Sequence, residues 1–578
     1  MKNLPLSDSM LESLLTYLAG KDSFVFLETV RCTSEDHRTL LFLDQVDRLI
    51  LRQGDSPLSF FRQAESFMNK GYYLAGWFSY EFGYTLEPVL GRGDASDPDR
   101  ILADLGIFRS PHIYDHQTGT FSGAGPWPVT VDDGIDRAYR VGNVRLNETR
   151  EEYCEKIRRI KGYIEAGDTY QVNYTLKLLF ELSGSSESFY RALRRNQSVS
   201  FGAYIRSGPR RIMSFSPELF FRKTGDSCVV RPMKGTIRRG RTVGEDHAIA
   251  SSLRADIKNR SENIMIVDLL RNDLGRLSRM GEVSVRSLFD VEAFETLHQM
   301  TSTVEGRLRP GVSLLELFSA LFPCGSVTGA PKIRTMEIIR ELEQEARGVY
   351  TGGIGYISPS GDAVFNVPIR TVVLDGGKGE MGIGSGIVYD SEPDAEWDEC
   401  RLKGQFLTDS PKNFQLIETM LWRPEKGYWL LDLHVKRLLD SAGYFGFPAD
   451  EGTLREKLRV TEQEFSSSAR RVRLLLFRNG DLEMTASSCS LPDENIFPVT
   501  EQEVSELPCC VLSDKRTDAQ SAYLFHKTTR RDLYEQERVR WQAKGFFEVL
   551  FRNLEGEVTE GSFTNIFVGK GGRLFTPP

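Results

Sequence analysis

Helix-spaced and strand-like segments follow one another irregularly along this chain, and that irregularity constrains its fold more than any other feature. From 151 to 166, Tyr153, Ile157, Ile160 and Ile164 fall at helical spacing, Gly167-Asp168 ends the helix, and an alternating strand runs from Tyr170 to Leu182. Helices are expected again over 259–279, 330–346 and 394–406. Between them Val349 to Ser358, Ala363 to Leu374 and Gly382 to Tyr389 read as strands bounded by glycines. A parallel doubly wound sheet needs a strict strand-helix succession, which is missing, so a mixed α+β architecture is predicted.

Residues 1–150 add short strand-like runs, Ser23 to Leu27 and Tyr72 to Tyr80, among turn-rich stretches. A second hydrophobic pattern opens at Asn413, behind the polar run Thr408-Asp409-Ser410-Pro411-Lys412. The chain is accordingly divided into 1–145, 146–410 and 411–578.

With 73 basic against 81 acidic residues the net charge is −8, and no Lys/Arg block is long enough to track a phosphate backbone, which argues against nucleic acid as a partner. The N-terminus lacks a signal-like apolar run, and no stretch approaches about 18 apolar residues, so a cytoplasmic address without a spanning helix is expected. The eight cysteines show neither CxxC nor zinc-ligand spacing, consistent with a reducing compartment.

Several segments carry residues suited to chemistry, each with a plain structural alternative. Gly325-Ser326-Val327-Thr328-Gly329-Ala330-Pro331-Lys332 precedes a helix and reads either as an anion site at a helix start or as a turn. Glu262 and Glu399 head or face two helices and suit Mg²⁺, or else form solvated faces with a Glu399–Lys403 pair one turn apart. Lys234 sits where a strand meets a proline and a glycine; Arg231, Arg238 and Arg239 would depress its pKa and free its amine as a nucleophile, unless it is an ordinary surface lysine. His298 reads as a general acid or a core histidine, and Arg370, alternating with apolar residues, is expected to project from a strand toward an anion.

Taken in order, Asp168 to Asn173, Pro232 to Thr236, Glu262-Asn263 running into Met265 to Gly275, Gly325 to Lys332, Tyr350 to Tyr356 and Gly384 to Val388 resemble the chorismate-utilising enzymes. That family includes anthranilate and aminodeoxychorismate synthase components I and the isochorismate and salicylate synthases. The resemblance is dense over about 150–406 and implies two large antiparallel sheets packed together with helices outside. It further implies that Glu262 and Glu399 hold Mg²⁺ against the ring carboxylate of chorismate. Arg370, Tyr356 and the backbone of Gly384-Ser385-Gly386 would bind the enolpyruvyl carboxylate, with Thr328, Gly329 and Lys403 completing the site and His298 near the departing C4 hydroxyl.

Two positions separate the branches of the family. Isochorismate and salicylate synthases carry a water-activating lysine where this chain has Gln171, and anthranilate synthases carry alanine where it has Lys234. The aminodeoxychorismate synthases carry a lysine there, thought to attack C2 and expel the C4 hydroxyl before ammonia adds at C4. The resemblance thus implies 4-amino-4-deoxychorismate as product, on the way to p-aminobenzoate and folate. No Gly-x-Cys-x-Gly elbow supplies a glutaminase nucleophile, so a separate glutamine amidotransferase is the expected partner. Of a tryptophan-binding motif found in related synthases, Phe24 to Thr29 resembles the first half, while 198–204 lacks the second.

From Asn413 onward, Phe414 to Met420, His434 to Leu438, Lys527 to Arg530 and Glu557 to Phe567 resemble class IV (fold type IV) pyridoxal-phosphate enzymes, which include aminodeoxychorismate lyase. By position Lys527 would form the Schiff base, Glu560 would keep the pyridine nitrogen protonated and Arg437 would contact the phosphate. The class IV pattern normally runs about 50–60 residues past the turn at Thr576-Pro577-Pro578, and the expectation is an incomplete lyase domain.

Overall fold

The computed structural model describes residues 6–90, 97–129, 138–408, 413–465, 467–490 and 508–577. The chain forms two compact units, Met1–Arg238 with Ala250–Pro411, and Arg239–Ile249 with Lys412–Pro578.

The first unit is built on two antiparallel sheets of eleven and ten strands. Phe42, Ala203, Ile205 and Ile212 from the larger sheet and Ala75, Trp77, Phe108 and Ile354 from the smaller share one buried cluster, which is the core between them. Helices Asp8–Ala19, Arg150–Glu165 and Ser186–Asn196 bury their apolar faces with the larger sheet. Helices Pro57–Asn69, Ile257–Gly275 and Leu314–Leu321 do so with the smaller. The α+β expectation of two packed antiparallel sheets with outer helices is met.

Local sequence accounts for the elements that carry the site. Thr149 and Glu152 form a reciprocal capping box that starts helix Arg150–Glu165. Asp256 accepts from the Asn259 N–H to start helix Ile257–Gly275. Strand Gln171–Gly184 pairs on one side with Lys378–Ile387 and on the other with the short strand Gly329–Ala330.

One expectation fails here. The predicted strand Ala363 to Leu374 is two strands, Ala363–Asn366 in the smaller sheet and Thr371–Asp375 in the larger. Pro368 supplies no ladder donor, and Arg370 takes a left-handed φ of 51°, so the chain leaves one sheet and enters the other between them. Arg370 therefore stands on a crossover and does not project from a strand.

In the second unit, strands Gly427–Tyr428, Leu416–Arg423, Arg470–Leu476 and Leu482–Ser488 form an antiparallel sheet. Helices Leu431–Phe445 and Glu451–Glu462 cover it around Leu416, Met420, Val435, Leu438, Leu458 and Val472. A second sheet pairs Cys510–Thr517 in parallel with Glu548–Asn553, and Val558–Gly561 antiparallel to the latter. Among the described residues no helix is long and apolar enough to cross a membrane, and all eight cysteines are free.

Candidate active site

Lys234 lies on strand Met233–Arg238, whose pairing with Leu297–Leu308 slips between Met233 and Thr236. Gly235 occupies the slip at a φ of 86°, a conformation open to glycine. The amine meets the glycine face of strand Lys378–Ile387: a methyl group placed on Gly386 would lie 3.2 Å from Lys234 Nζ and 2.5 Å from Gln171 Nε2. Burial pushes the Lys234 pKa below the usual range, Glu262 and Glu218 oppose that shift, and Lys403 adds to it. The largest cause is desolvation, and the cation that contributes is Lys403, not the arginines beside Lys234 in sequence. Those are engaged elsewhere, Arg239 on Asp246 at 2.7 Å and Arg231 toward Glu292 at 3.9 Å.

Glu218, which the sequence reading missed, is after Glu262 the second carboxyl that acts on this amine. It is 3% exposed, accepts from the Ser326 hydroxyl at 2.6 Å, and its pKa is pushed up to about 7 by burial, with Ser326 and Lys234 opposing. The signal was present in Ser214 to Glu218, where a strand ends at a proline and the Ser216 hydroxyl caps the Glu218 N–H at 3.1 Å. A protonatable carboxyl and a deprotonatable amine thus share one buried site, with pKa values moved toward each other.

The expected anion run is put to a different use. The Thr328 hydroxyl donates to the carbonyls of Cys324 and Gly325 at 3.1 and 3.2 Å, and Lys332 is spent on Asp273 at 2.6 Å. Gly329 is a packing requirement, because a Cβ there would sit 1.9 Å from the Gln171 carbonyl oxygen. Neither the Thr328 nor the Lys332 side chain is left for an anion; Ser326 is the member of the run that donates to Glu218.

Glu262 is half-buried, and burial raises its pKa, with Lys234 and Lys258 opposing and Glu396 adding to the rise. Glu399 is half-exposed and pairs with Lys403 at 2.7 Å, while Lys403 also donates to the Gly384 carbonyl at 2.7 Å. The carboxylate of helix Pro393–Gly404 that acts on Glu262 is therefore Glu396, one turn before Glu399. Among the described residues no cluster of three or more side chains could hold a metal ion. Mg²⁺ takes one or two protein carboxylates and keeps water or substrate oxygens for the rest, and a site of this composition fits it.

Arg370 is half-buried, and its guanidinium makes no hydrogen bond or ion pair among the described residues. Burial lowers its pKa to about 10, with Glu295 and Tyr350 opposing. A desolvated, uncompensated guanidinium favours an anionic ligand. The tyrosine beside it is Tyr350, whose ring lies against Gly382 so closely that a Cβ there would come within 2.2 Å. Tyr356 does not reach this place. Alternation along strand Gly353–Ile357 turns it, with Ile354, into the core between the sheets, where its ring stands 6.1 Å from that of Phe42.

Alternation also turns the Ser385 side chain away from the face of Gly384 and Gly386, toward Tyr153 Oη at 3.3 Å, so only its backbone faces the site. His298 is buried in strand Leu297–Leu308 opposite Ile237. It is not among the leading influences on Lys234.

In the second unit Lys527 is half-buried, and desolvation lowers its pKa, with Glu418 opposing and Arg437 and Arg531 adding to the fall. Arg437 lies near it, but lays Nε and Nη2 on Glu418 at 2.7 and 2.5 Å. Its side chain remains 47% exposed and its Nη1 makes no hydrogen bond among the described residues, leaving donors for a phosphate. Glu560 accepts from Tyr534 Oη at 2.7 Å, and Arg531, which acts on Lys527, stacks 4.5 Å above the Tyr534 ring. An amine, a guanidinium and a carboxylate of the kinds pyridoxal phosphate requires are present, and their chemistry fits the cofactor.

Residues 29–409 match the family described as chorismate binding enzyme. The chain belongs to that family. Residues 415–578 match amino-transferase class IV. Aminodeoxychorismate synthase component 1 of Bacillus subtilis is 33% identical over 393 residues, covering 61% of this chain and 81% of that protein. Its namesake in Escherichia coli K12 is 34% identical over 391 residues, covering 66% and 84%. Anthranilate synthase component 1 1 of Haloarcula marismortui is also similar, at 33% over 370 residues, 58% of this chain and 75% of that one. Anthranilate synthase component I of Streptococcus pneumoniae TIGR4 shares the fold, with a TM-score of 0.56 at 24% identity over 66% of this chain and 94% of that one. The protein is a chorismate-utilising synthase component I joined to a class IV aminotransferase-like region.

Proposed function

We propose that this enzyme is an aminodeoxychorismate synthase component I, with 1–145 and 146–410 forming the synthase and 411–578 a class IV lyase-like domain that acts on its product. The observation that carries the reading is the desolvated Lys234 amine at the Gly386 face, acted on by the carboxyls of Glu262 and the buried Glu218. Lowering an amine's pKa raises its free-base fraction and so its nucleophilicity, and a carboxyl near 7 is suited to act as an acid at neutral pH.

Lys234 Nζ bonds to C2 of chorismate, the ring double bonds shift, and the C4–O bond breaks while Glu218 protonates the departing hydroxyl, which leaves as water. Ammonia then bonds to C4, the double bonds shift back, and the C2–N bond breaks, returning the amine. The balance is chorismate plus ammonia to 4-amino-4-deoxychorismate plus water. Arg370 and the backbone at Gly384 to Gly386 hold the enolpyruvyl carboxylate, with Tyr350 beside the guanidinium. Glu262, with Glu396 or Glu399, would hold Mg²⁺, which supplies positive charge to the ring carboxylate. Ammonia comes from a separate glutamine amidotransferase, as the component names of the similar proteins suggest.

The second unit would hold pyridoxal phosphate on Lys527 with Glu560 at the pyridine nitrogen and Arg437 at the phosphate. The cofactor supplies an electron sink for loss of pyruvate, giving p-aminobenzoate. Anthranilate synthase is the second reading, favoured by the names of some similar proteins; a lysine at 234 argues against it. Incubating the full chain with chorismate, Mg²⁺ and an ammonium salt, and separating products by mass, tests both. Lys234→Ala should abolish aminodeoxychorismate formation, and unchanged formation would refute the assignment.

A further inference from the structure

Arg347 is 2% exposed and lies in the first unit, as do all its partners. Its guanidinium has five N–H donors, and each has an acceptor. Nε donates to Glu343 Oε2 at 2.9 Å and Nη2 to Glu343 Oε1 at 2.7 Å, the two-point grip of a carboxylate. The other Nη2 donor takes the Asn173 carbonyl at 2.6 Å, and the two on Nη1 take the Val327 carbonyl at 2.9 Å and the Thr351 hydroxyl at 3.3 Å. The guanidinium stands 4.2 Å over the Tyr80 ring, and the Glu81 carboxylate accepts from the Arg347 and Gly348 N–H groups at 2.7 and 3.1 Å. Glu343, just past helix Lys332–Leu342, also accepts from the N–H and the hydroxyl of Thr175, each at 2.9 Å.

The acceptors of Arg347 belong to three segments that build the site. Asn173 stands opposite Gly386 in the ladder of strands Gln171–Gly184 and Lys378–Ile387, and its own N–H donates to the Thr328 carbonyl at 2.7 Å. Val327 ends the turn Gly325–Val327 directly after Ser326, the donor to Glu218. Thr351 donates through its hydroxyl to the Tyr350 carbonyl at 2.6 Å and through its N–H to the Pro368 carbonyl at 3.0 Å, on the crossover that carries Arg370. One side chain therefore fixes the glycine face, the turn of Ser326 and the Tyr350 segment relative to one another. Lysine could not replace it, since an ammonium is a point charge on a flexible stem and lacks the rigid fork that meets these acceptors together.

We infer that Arg347, braced by Glu343, is a positioning residue of the synthase site that holds Ser326 on the Glu218 carboxyl and Asn173 in register with Gly386. The inference rests on the proposed roles of Glu218 as acid and Lys234 as nucleophile. Lys234 and Arg231 also act on Glu218, and Cys324 lies at the same turn with its Sγ 3.1 Å from the Ser326 hydroxyl. Neither cation is bonded to Arg347, so a change at Arg347 reaches Glu218 through the turn of Ser326. The Ser326 hydroxyl donates to the ionised carboxyl and favours it; when that donor drifts away, Glu218 keeps its proton to higher pH.

The test uses the full chain and reads kcat for chorismate consumption with Mg²⁺ across pH at constant free ammonia. The variants are Ser326→Ala, Arg347→Lys and Glu343→Gln, the last two also combined with Ser326→Ala. Ser326→Ala should move the alkaline limb up by about one pH unit, the worth of one hydrogen bond to a charged group. Arg347→Lys should move it the same way by a smaller step and lower kcat about tenfold, less than the roughly 100-fold of an ångström misplacement. Combined with Ser326→Ala it should shift the limb no further than Ser326→Ala does, because both act through one hydroxyl. Glu343→Gln keeps the shape of the brace and should fall between the parent and Arg347→Lys; if Arg347→Lys does not accumulate as folded protein, Glu343→Gln decides by the same readouts. An unmoved limb in Ser326→Ala or in the deciding variant, whatever its kcat, or shifts that add in the combined variant, would overturn the inference alone. A parent without a limb near pH 7, or a limb that persists in Glu218→Gln, would overturn the functional reading and the inference with it.

Discussion

Lys234 and Lys527 are both lysines whose amines are made less basic by desolvation, but their surroundings differ in kind. Around Lys234 the strongest charged influences are carboxylates, Glu262 and Glu218, with Lys403 as the lesser cation. Around Lys527 a single carboxylate, Glu418, is set against Arg437 and Arg531. An amine desolvated near buried carboxyls has a proton donor and acceptor in its site, as a displacement whose hydroxyl leaves as water requires. An amine set among guanidinium groups is suited to an anionic cofactor with a phosphate. The same residue type is thus prepared for two chemistries by its neighbours, and the substitutions below are chosen to abolish one set of properties while leaving the other.

The largest effect should come from Lys234→Ala, which removes the attacking group: ammonia-dependent chorismate consumption should fall by about 10³ or more. Visible absorbance after adding pyridoxal phosphate should be unchanged. Loss of that absorbance as well would erase the contrast. Lys527→Ala is the mirror experiment, expected to abolish the absorbance while kcat of the synthase reaction stays within about twofold.

Glu218→Gln should lower kcat about 10²–10⁴-fold, the range for losing a general acid, and remove the alkaline limb near pH 7. The same group affects stability. Its folded pKa, about 7, lies above its ordinary 4.5, so the stabilisation of its protonated form is complete below 4.5 and lost as pH rises through 7. Thermal midpoints of the parent should drop between pH 5 and 8 by more than those of Glu218→Gln. An equal drop would show that the carboxyl titrates normally.

Arg370→Gln should raise KM for chorismate about 30-fold, in line with the roughly 2 kcal/mol of a charge-assisted contact, with a smaller change in kcat. The smallest effect separates two tyrosines. Tyr356→Phe should leave kinetics within about twofold, since its ring serves the core between the sheets. Tyr350→Phe should raise KM by a larger factor, through its position beside Arg370. Equal effects would break the distinction that strand alternation draws.

Much of this arrangement was legible in the sequence, for particular reasons. Helical spacing of Tyr153, Ile157 and Ile160 and the stop at Gly167-Asp168 mark helix Arg150–Glu165 within a residue, because both signals are local. The glycines at 382, 384 and 386 could be read as a bare strand face, though not what stood over it. Glu218 escaped notice because its pKa depends on burial by distant elements and on Ser326, 108 residues away. Motif order names Tyr356 but carries no facing; the period of two along Gly353–Ile357 decides that, and its phase is set by the neighbouring strands. Arg370 was placed on a strand because alternation of apolar residues does not reveal a change of sheet at Pro368. Local sequence offers only the neighbouring arginines as a cause for a depressed Lys234 pKa, and desolvation, the main cause, depends on elements far along the chain.

The most direct measurement is the mass and chromatographic identity of the product formed by the full chain carrying Lys527→Ala, given chorismate, Mg²⁺ and an ammonium salt, so that nothing downstream consumes it. Lys234 as nucleophile with Glu218 as acid requires 4-amino-4-deoxychorismate, absent when Lys234→Ala is added. Anthranilate as the product, or aminodeoxychorismate formed at the same rate without the Lys234 amine, would contradict it.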